Sequence, residues 1–157
     1  MRFRHIKIKP CISLLFSIAL IICLAVSALG QASDDRNKTG PIFKSTDGGV
    51  SWTAINTGIT ARVITVLAID PVSPEIIYAG SDRGIFKSTD GGNSWTVPNG
   101  DITRFAVNDI AIDPVTPSTL YATTNGGGAY KSTDSGSTWS RINNGLFFNK
   151  VLGRLII

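Results

Sequence analysis

Histidine and cysteine are nearly absent from this chain. Of its 157 residues one is His (His5) and two are Cys (Cys11 and Cys23), and all three fall within the first 30 positions. From residue 31 onward, the lack of His excludes a Ser-His-Asp relay and a histidine-ligated metal. The lack of Cys excludes a disulfide and any thiol chemistry there, so stability must come from core burial and sheet pairing. No stretch after the leader carries a helical hydrophobic period. A phosphate-binding loop is missing too. Gly126-Gly127-Gly128 is a flexible turn without the Lys-Ser/Thr that a nucleotide site needs. No cofactor and no metal is implied.

Net charge is also missing once the leader is set aside. The chain holds 15 Lys and Arg against 11 Asp and Glu, but Arg2, Arg4, Lys7 and Lys9 supply four of those cations, which leaves 11 against 11. The basic pI is therefore no argument for a nucleic-acid partner. The same four cations form a basic n-region ahead of Cys11 to Leu29, an uncharged and mostly apolar run. Ala28-Leu29-Gly30 then offers small residues at the −3 and −1 positions of a cleavage site before Gln31. Residues 1–30 thus read as a hydrophobic signal helix, which predicts a secreted, periplasmic or otherwise extracytoplasmic protein. The run is long for a signal core and nearly long enough to span a bilayer. The alternative is an uncleaved N-terminal anchor, the one route to a membrane that the sequence offers. Cys23 follows Leu20-Ile21-Ile22, which puts a bulky Ile where a lipoprotein signal expects a small residue. Residues 31–40 are polar and aperiodic and read as a linker. Within them Asn37-Lys38-Thr39 fits the glycosylation sequon.

From residue 41 to 157 one eight-residue phrase recurs. It reads STDGGVSW at Ser45 to Trp52, STDGGNSW at Ser88 to Trp95 and STDSGSTW at Ser132 to Trp139. Ser45 to Ser88 is 43 residues and Ser88 to Ser132 is 44, a fixed period that marks a repeat architecture. Ser and Asp side chains accept hydrogen bonds from nearby backbone N–H groups and hold a tight turn. Gly49, Gly92 and Gly136 tolerate positive φ. Each Trp then starts the next strand and buries a large ring. Ser45, Asp47, Gly49 and Trp52, Ser88, Asp90, Gly92 and Trp95, and Ser132, Asp134, Gly136 and Trp139 are accordingly read as structural. A turn that recurs in every repeat suits a scaffold better than a single active site.

The rest of each unit follows the same grammar. Residues 62–70 form a strand apolar on both faces, ended by Asp70-Pro71. Residues 75–80 are a second strand, 81–84 a turn, 85–88 a third strand and 94–97 a fourth. The next copy runs through 106–113, 120–123, 128–132 and 139–142, and residues 150–157 begin another first strand. The expected class is all-β, with four-stranded antiparallel blades of a β-propeller.

The phrase resembles the Asp-box, or BNR repeat, of sialidases, xyloglucan-cleaving endoglucanases, sortilin-type receptors and photosystem II assembly-factor propellers. The run AIDPVxP at Ala68 to Pro74 and Ala111 to Pro117, followed by a Tyr-Ala strand and Gly-x-[Phe/Tyr]-Lys-Ser-Thr-Asp, is similar to bacterial BNR-repeat proteins in particular. The resemblance implies a propeller scaffold and does not select one activity. The propeller is incomplete, at two full blades, half a blade and one further strand, whereas a closed ring needs about four to eight blades. Three explanations stay open: a piece of a longer gene product, which the end in mid-strand favours; self-association that completes a ring; or an incomplete fan.

The resemblance also implies that ligands bind on the face opposite the Asp-boxes. The candidates there are Arg62, Asp82, Arg83, Arg104, Asp109 and Asn125, although any one of them reads more simply as a solvated loop charge or strand-end cap. Glycoside hydrolysis needs two carboxylates across the sugar, and only Asp82 and Asp109 qualify on that face. Tyr78 and Tyr121 occupy equivalent positions in second strands, which suits packing better than a nucleophile. The expected role is therefore non-catalytic binding of a protein or carbohydrate. The alternative is a piece of a sialidase- or xyloglucanase-like glycoside hydrolase whose catalytic residues lie elsewhere.

Overall fold

A computed structural model describes residues 20–23, 42–97 and 101–146. Three antiparallel sheets account for nearly all the regular structure. The first holds β1 (Leu20–Cys23), β2 (Ile42–Ser45) and β3 (Thr53–Ala54). In the second are β4 (Ile64–Ile69), β5 (Ile77–Ser81) and β6 (Gly84–Ser88). The third contains β7 (Val107–Ile112), β8 (Leu120–Thr124), β9 (Gly128–Ser132) and β10 (Ser140–Arg141). A 3₁₀ turn at Asp101–Arg104 precedes β7. The chain is an all-β array of partial propeller blades.

The blades repeat in register as well as in sequence. β5 pairs with β6 from Ile77↔Ser88 to Ser81↔Gly84, and β8 pairs with β9 from Leu120↔Ser132 to Thr124↔Gly128. β4 and β7 each break register once, between Ile64 and Val66 and between Val107 and Asp109. At the first break Thr65 Oγ1 lies 3.0 Å from the Gly80 carbonyl and 2.5 Å from the Val107 carbonyl, which ties the second sheet to the third. The fourth strand expected at 94–97 is reduced to a bridge between Lys87 and Thr96. Pro98, which has no N–H to extend a ladder, follows it in the sequence.

Two hydrophobic cores lie between the three sheets, because the middle sheet buries both faces. Ile77, Ala79 and Phe86 face the first sheet, where they pack with Ile42, Ile55 and Trp95. Their sequence neighbours Tyr78 and Ile85 face the third sheet, with Leu120, Ala122, Tyr130 and Trp139. The alternation is the two-residue period of a strand, with both sides apolar, whereas the strand expected to be buried on both faces, at residues 62–70, leaves Thr65 and Ile69 exposed in β4. Burying a large aliphatic side chain such as Ile77 contributes roughly 1.5–3 kcal/mol.

One expectation is corrected. The hydrophobic leader is read from sequence as a helix, but its described residues, Leu20–Cys23, are extended and pair with β2. Leu20↔Ser45 through Cys23↔Ile42 is the register that β5 keeps on β6, so β1 takes the second-strand place of the first blade. A short β-branched run extends readily, and β2 would otherwise present an unpaired edge. The rest of the leader, the linker at 31–40 and the strand expected at 150–157 lie outside the described residues. Among the described residues no helix is long and apolar enough to cross a membrane.

Candidate functional site

The repeated phrase closes in the same way three times. In the first copy Ser45 Oγ donates to Asp47 Oδ1 at 2.7 Å and accepts from the Gly49 N–H at 2.7 Å. Asp47 also accepts from the Ser51 N–H at 2.9 Å and from the Ser51 hydroxyl at 2.5 Å. The second copy repeats these bonds with Ser88, Asp90, Gly92 and Ser94. The third repeats them with Ser132, Asp134, Gly136 and Thr138. A carboxylate that accepts several hydrogen bonds is favoured in its charged form. The Ser94 hydroxyl and N–H, with the Ser88 hydroxyl, hold Asp90 down at about 2, and Thr138 and Ser132 do the same for Asp134. Ser51 and Ser45 hold Asp47 well below the usual carboxylate range. The residue ahead of the turn glycine is also left-handed, at φ 72° for Gly48, 69° for Gly91 and 55° for Ser135. Sequence reading assigned that conformation only to the second glycine.

The Asp-Pro turns sit beside these phrases. The Gly91 N–H donates to the Glu75 carbonyl and the Ser135 N–H to the Ser118 carbonyl, both at 2.9 Å. Asp70 Oδ1 accepts from the N–H groups of Val72 and Ser73, and Asp113 Oδ1 from those of Val115 and Thr116.

Five of the six candidate ligand residues lie at the opposite ends of the strands. Asp82 Oδ1 accepts from the Arg62 N–H at 3.0 Å and the Val63 N–H at 3.2 Å, so it caps the start of the first strand. Arg83 donates its backbone N–H to Ser81 Oγ and its side chain is exposed. Arg104 reaches Asp101 at 4.0 Å in a largely exposed pair. The turn bearing Arg104 lies on the turn bearing Asp82, since a Cβ at Gly84 would stand 2.7 Å from Thr103 Cα. Asn125 donates its backbone N–H to the Ala106 carbonyl, and it is exposed. Asp109 stands apart, on β7 opposite Thr123, half-buried and with its own carboxylate accepting the Ile110 N–H at 3.0 Å.

A cluster that sequence reading did not single out lies on the third sheet. The Arg141 guanidinium stands 5.2 Å from the Phe105 ring centroid and 5.6 Å from that of Tyr130, and its Nε donates to the Tyr130 hydroxyl at 2.9 Å. The Phe105 and Tyr130 rings are 6.4 Å apart. The signal that could have found it is Arg141 directly across β10 from Tyr130. Tyr78 is buried, donates to the Ser135 carbonyl at 2.8 Å, and has its hydroxyl pushed up to about 12 by burial and by Asp70 and Asp134. It is a packing residue. Among the described residues no group of three or more His, Cys, Asp or Glu side chains is placed to hold a metal.

No protein-family model and no curated protein matches the chain. Solved structures do. A GH74 enzyme from Niastella koreensis is 27% identical over 65% of this chain and 18% of its own, with a TM-score of 0.53. YCF48 from Cyanidioschyzon merolae is 18% identical over 73% of this chain and 37% of its own, with a TM-score of 0.59. A structure of YCF48 bound to D1 peptide is 19% identical over 66% and 34%, with a TM-score of 0.51. The chain spans between 18% and 37% of the length of these β-propeller proteins and shares their fold.

Proposed function

We propose that the chain is an exported, non-catalytic Asp-box propeller segment, a scaffold that binds a protein or a glycan at the strand ends bearing Asp82, Arg83 and Arg104. One observation carries this reading. Seven of the nine described acidic residues, Asp47, Asp70, Asp82, Asp90, Asp109, Asp113 and Asp134, accept hydrogen bonds from backbone N–H groups, and six of them do so in turns or at a strand end. A carboxylate held this way supports a loop, and hydrolysis needs two that are free to act on opposite sides of a sugar. The exposed guanidinium groups of Arg83 and Arg104 and the Arg141 cluster suit carboxylate-bearing or sugar ligands. The peptide held by YCF48 is a precedent for a protein ligand on this fold.

A second reading is favoured by the 27% identity to the GH74 enzyme and by the 18% of that enzyme the chain spans. On that reading the chain is a piece of a glycoside hydrolase whose catalytic residues lie in other blades. The deciding experiment measures binding and reducing-end release together, using xyloglucan, other β-glucans, sialosides and a peptide array. Binding without turnover is expected. Turnover that disappears in Asp82→Ala or Asp109→Ala would overturn the non-catalytic reading.

A further inference from the structure

Asn56, Asn93 and Asn143 have side chains tied to the backbone. Asn56 Oδ1 accepts the Ile42 N–H at 2.7 Å. Asn143 is held at both ends, since its Oδ1 accepts the Ala129 N–H at 2.8 Å and its Nδ2 donates to the Gly127 carbonyl at 3.1 Å. Asn93 Nδ2 donates to the Asp90 carbonyl at 2.8 Å, and the N–H that follows it, on Ser94, is taken by Asp90 Oδ1 at 2.9 Å. These bonds keep each amide from turning onto the peptide nitrogen of the next residue. Those next residues, Thr57, Ser94 and Asn144, also carry side chains that crowd that nitrogen.

Asn125 is placed differently. It opens the turn of residues 125–127 between β8 and β9, and it is exposed. Its backbone N–H is anchored to the Ala106 carbonyl at 2.8 Å. Gly126 follows, also exposed, with φ at 86°. A glycine leaves the peptide free to rotate. A Cβ on Gly126 would meet nothing within 4 Å, so the approach to its nitrogen is open on that side. The next residue is packed again, because a Cβ on Gly127 would stand 2.7 Å from Phe105 Cδ2. The turn is thus pinned on either side of the Asn125–Gly126 peptide and open at it.

We propose that Asn125 is a site of self-modification, where the Gly126 nitrogen displaces the side-chain amide and leaves aspartate or isoaspartate in its place. The Gly126 nitrogen bonds to Asn125 Cγ, the Cγ–Nδ2 bond breaks, and the Gly126 proton departs with Nδ2 as ammonia. Solvent water then opens the five-membered imide at either carbonyl and yields one carboxylate. Both reacting groups belong to one dipeptide, so nothing has to be captured for them to meet. The product exchanges an amide that donates and accepts for a carboxylate that only accepts. A negative charge thereby enters the strand ends that carry Arg83 and Arg104. In the isoaspartate form the main chain also gains a methylene between residue 125 and Gly126, just ahead of the glycine on which Phe105 packs. Arg141 stands over that same ring, so the change reaches the aromatic cluster. The chemistry is independent of whether this face binds a ligand.

The test ages the folded 157-residue chain at mildly alkaline pH and follows it by peptide mapping, with isoaspartate counted by isoaspartyl methyltransferase labelling. Mapping assigns each conversion to its residue and separates Asn125 from Asn144-Gly145, the other such pair among the described residues. Aspartate and isoaspartate are expected to accumulate at residue 125 while the amides of Asn93 and Asn143 are retained. Asn125→Gln moves the amide one methylene further out and is expected to lose the conversion at that residue, with circular dichroism as the folding control. Mapping of the wild type alone decides the matter should Asn125→Gln fail to fold. An amide at residue 125 that lasts as long as those of Asn93 and Asn143 would overturn the proposal. So would conversion in urea but not in the folded chain, because the native turn would then hold the two groups apart.

Discussion

Asp90 shows how much of this protein is decided by single side chains. Its carboxylate joins the Ser88 hydroxyl, the Ser94 hydroxyl and the Ser94 N–H in one closed turn. These bonds are strongest to the ionised form, which holds its pKa down at about 2. A depressed folded pKa contributes stability above the unfolded value of about 3.9 and loses it as pH falls through the folded value. Asp134 at about 2, and Asp47, held well below the usual carboxylate range, act in the same direction. Thermal melts should therefore be flat from neutral pH down to about 4 and fall steeply towards 2. Asp90→Asn should melt lower than the wild type at pH 7 and show a shallower acid slope. An unchanged melting temperature at pH 7 would contradict the locking role of this carboxylate. The role was legible in the sequence because a Ser and an Asp two residues apart, before a glycine, form a local motif. Ser135 at φ 55° was not, because nothing in its residue type announces a left-handed backbone.

At the scale of an element, β5 is the strand on which the sheets converge. All five of its residues are buried. Ile77 and Ala79 serve one core and Tyr78 the other. Gly80 lets the sheets approach closely, since a Cβ there would stand 2.6 Å from Val66 Cγ1 and 2.8 Å from Val107 Cγ1. Its φ is not in the left-handed region, so the demand for glycine is one of space. Gly80→Ala should destabilise the chain by about 1–3 kcal/mol through overpacking, measured by urea unfolding. Sequence reading placed this strand correctly but saw Gly80 only as its end, because the Val107 contact joins residues distant in the chain. β1 shows the limit of a linear reading from the other side. Its apolar residues read as part of a helical leader, and their pairing with the edge of β2 joins positions distant in the chain.

Across the whole molecule, equivalent residues differ in consequence according to where their blade stands. Trp95 and Trp139 are 4% and 6% exposed because a preceding sheet covers each, while Trp52 is half-buried. Trp95→Ala should cost about 3–5 kcal/mol, and Trp52→Ala clearly less, in denaturant titrations. Equal losses would mean that the first blade is as well covered as the second. The candidate face was legible in outline, because turns between known strands fall at known ends. Its partners were not: Asp82 capping residues 62 and 63, Thr103 seated on Gly84, and Arg141 between Phe105 and Tyr130 join positions that no period relates. Repeat length, strand order and turn chemistry were readable from the residues alone, because each is local and recurs along the chain. Which faces meet and which glycines are there for space were settled in three dimensions alone. Those follow from how one sheet stacks on the next, a contact that spans more than 40 residues of chain.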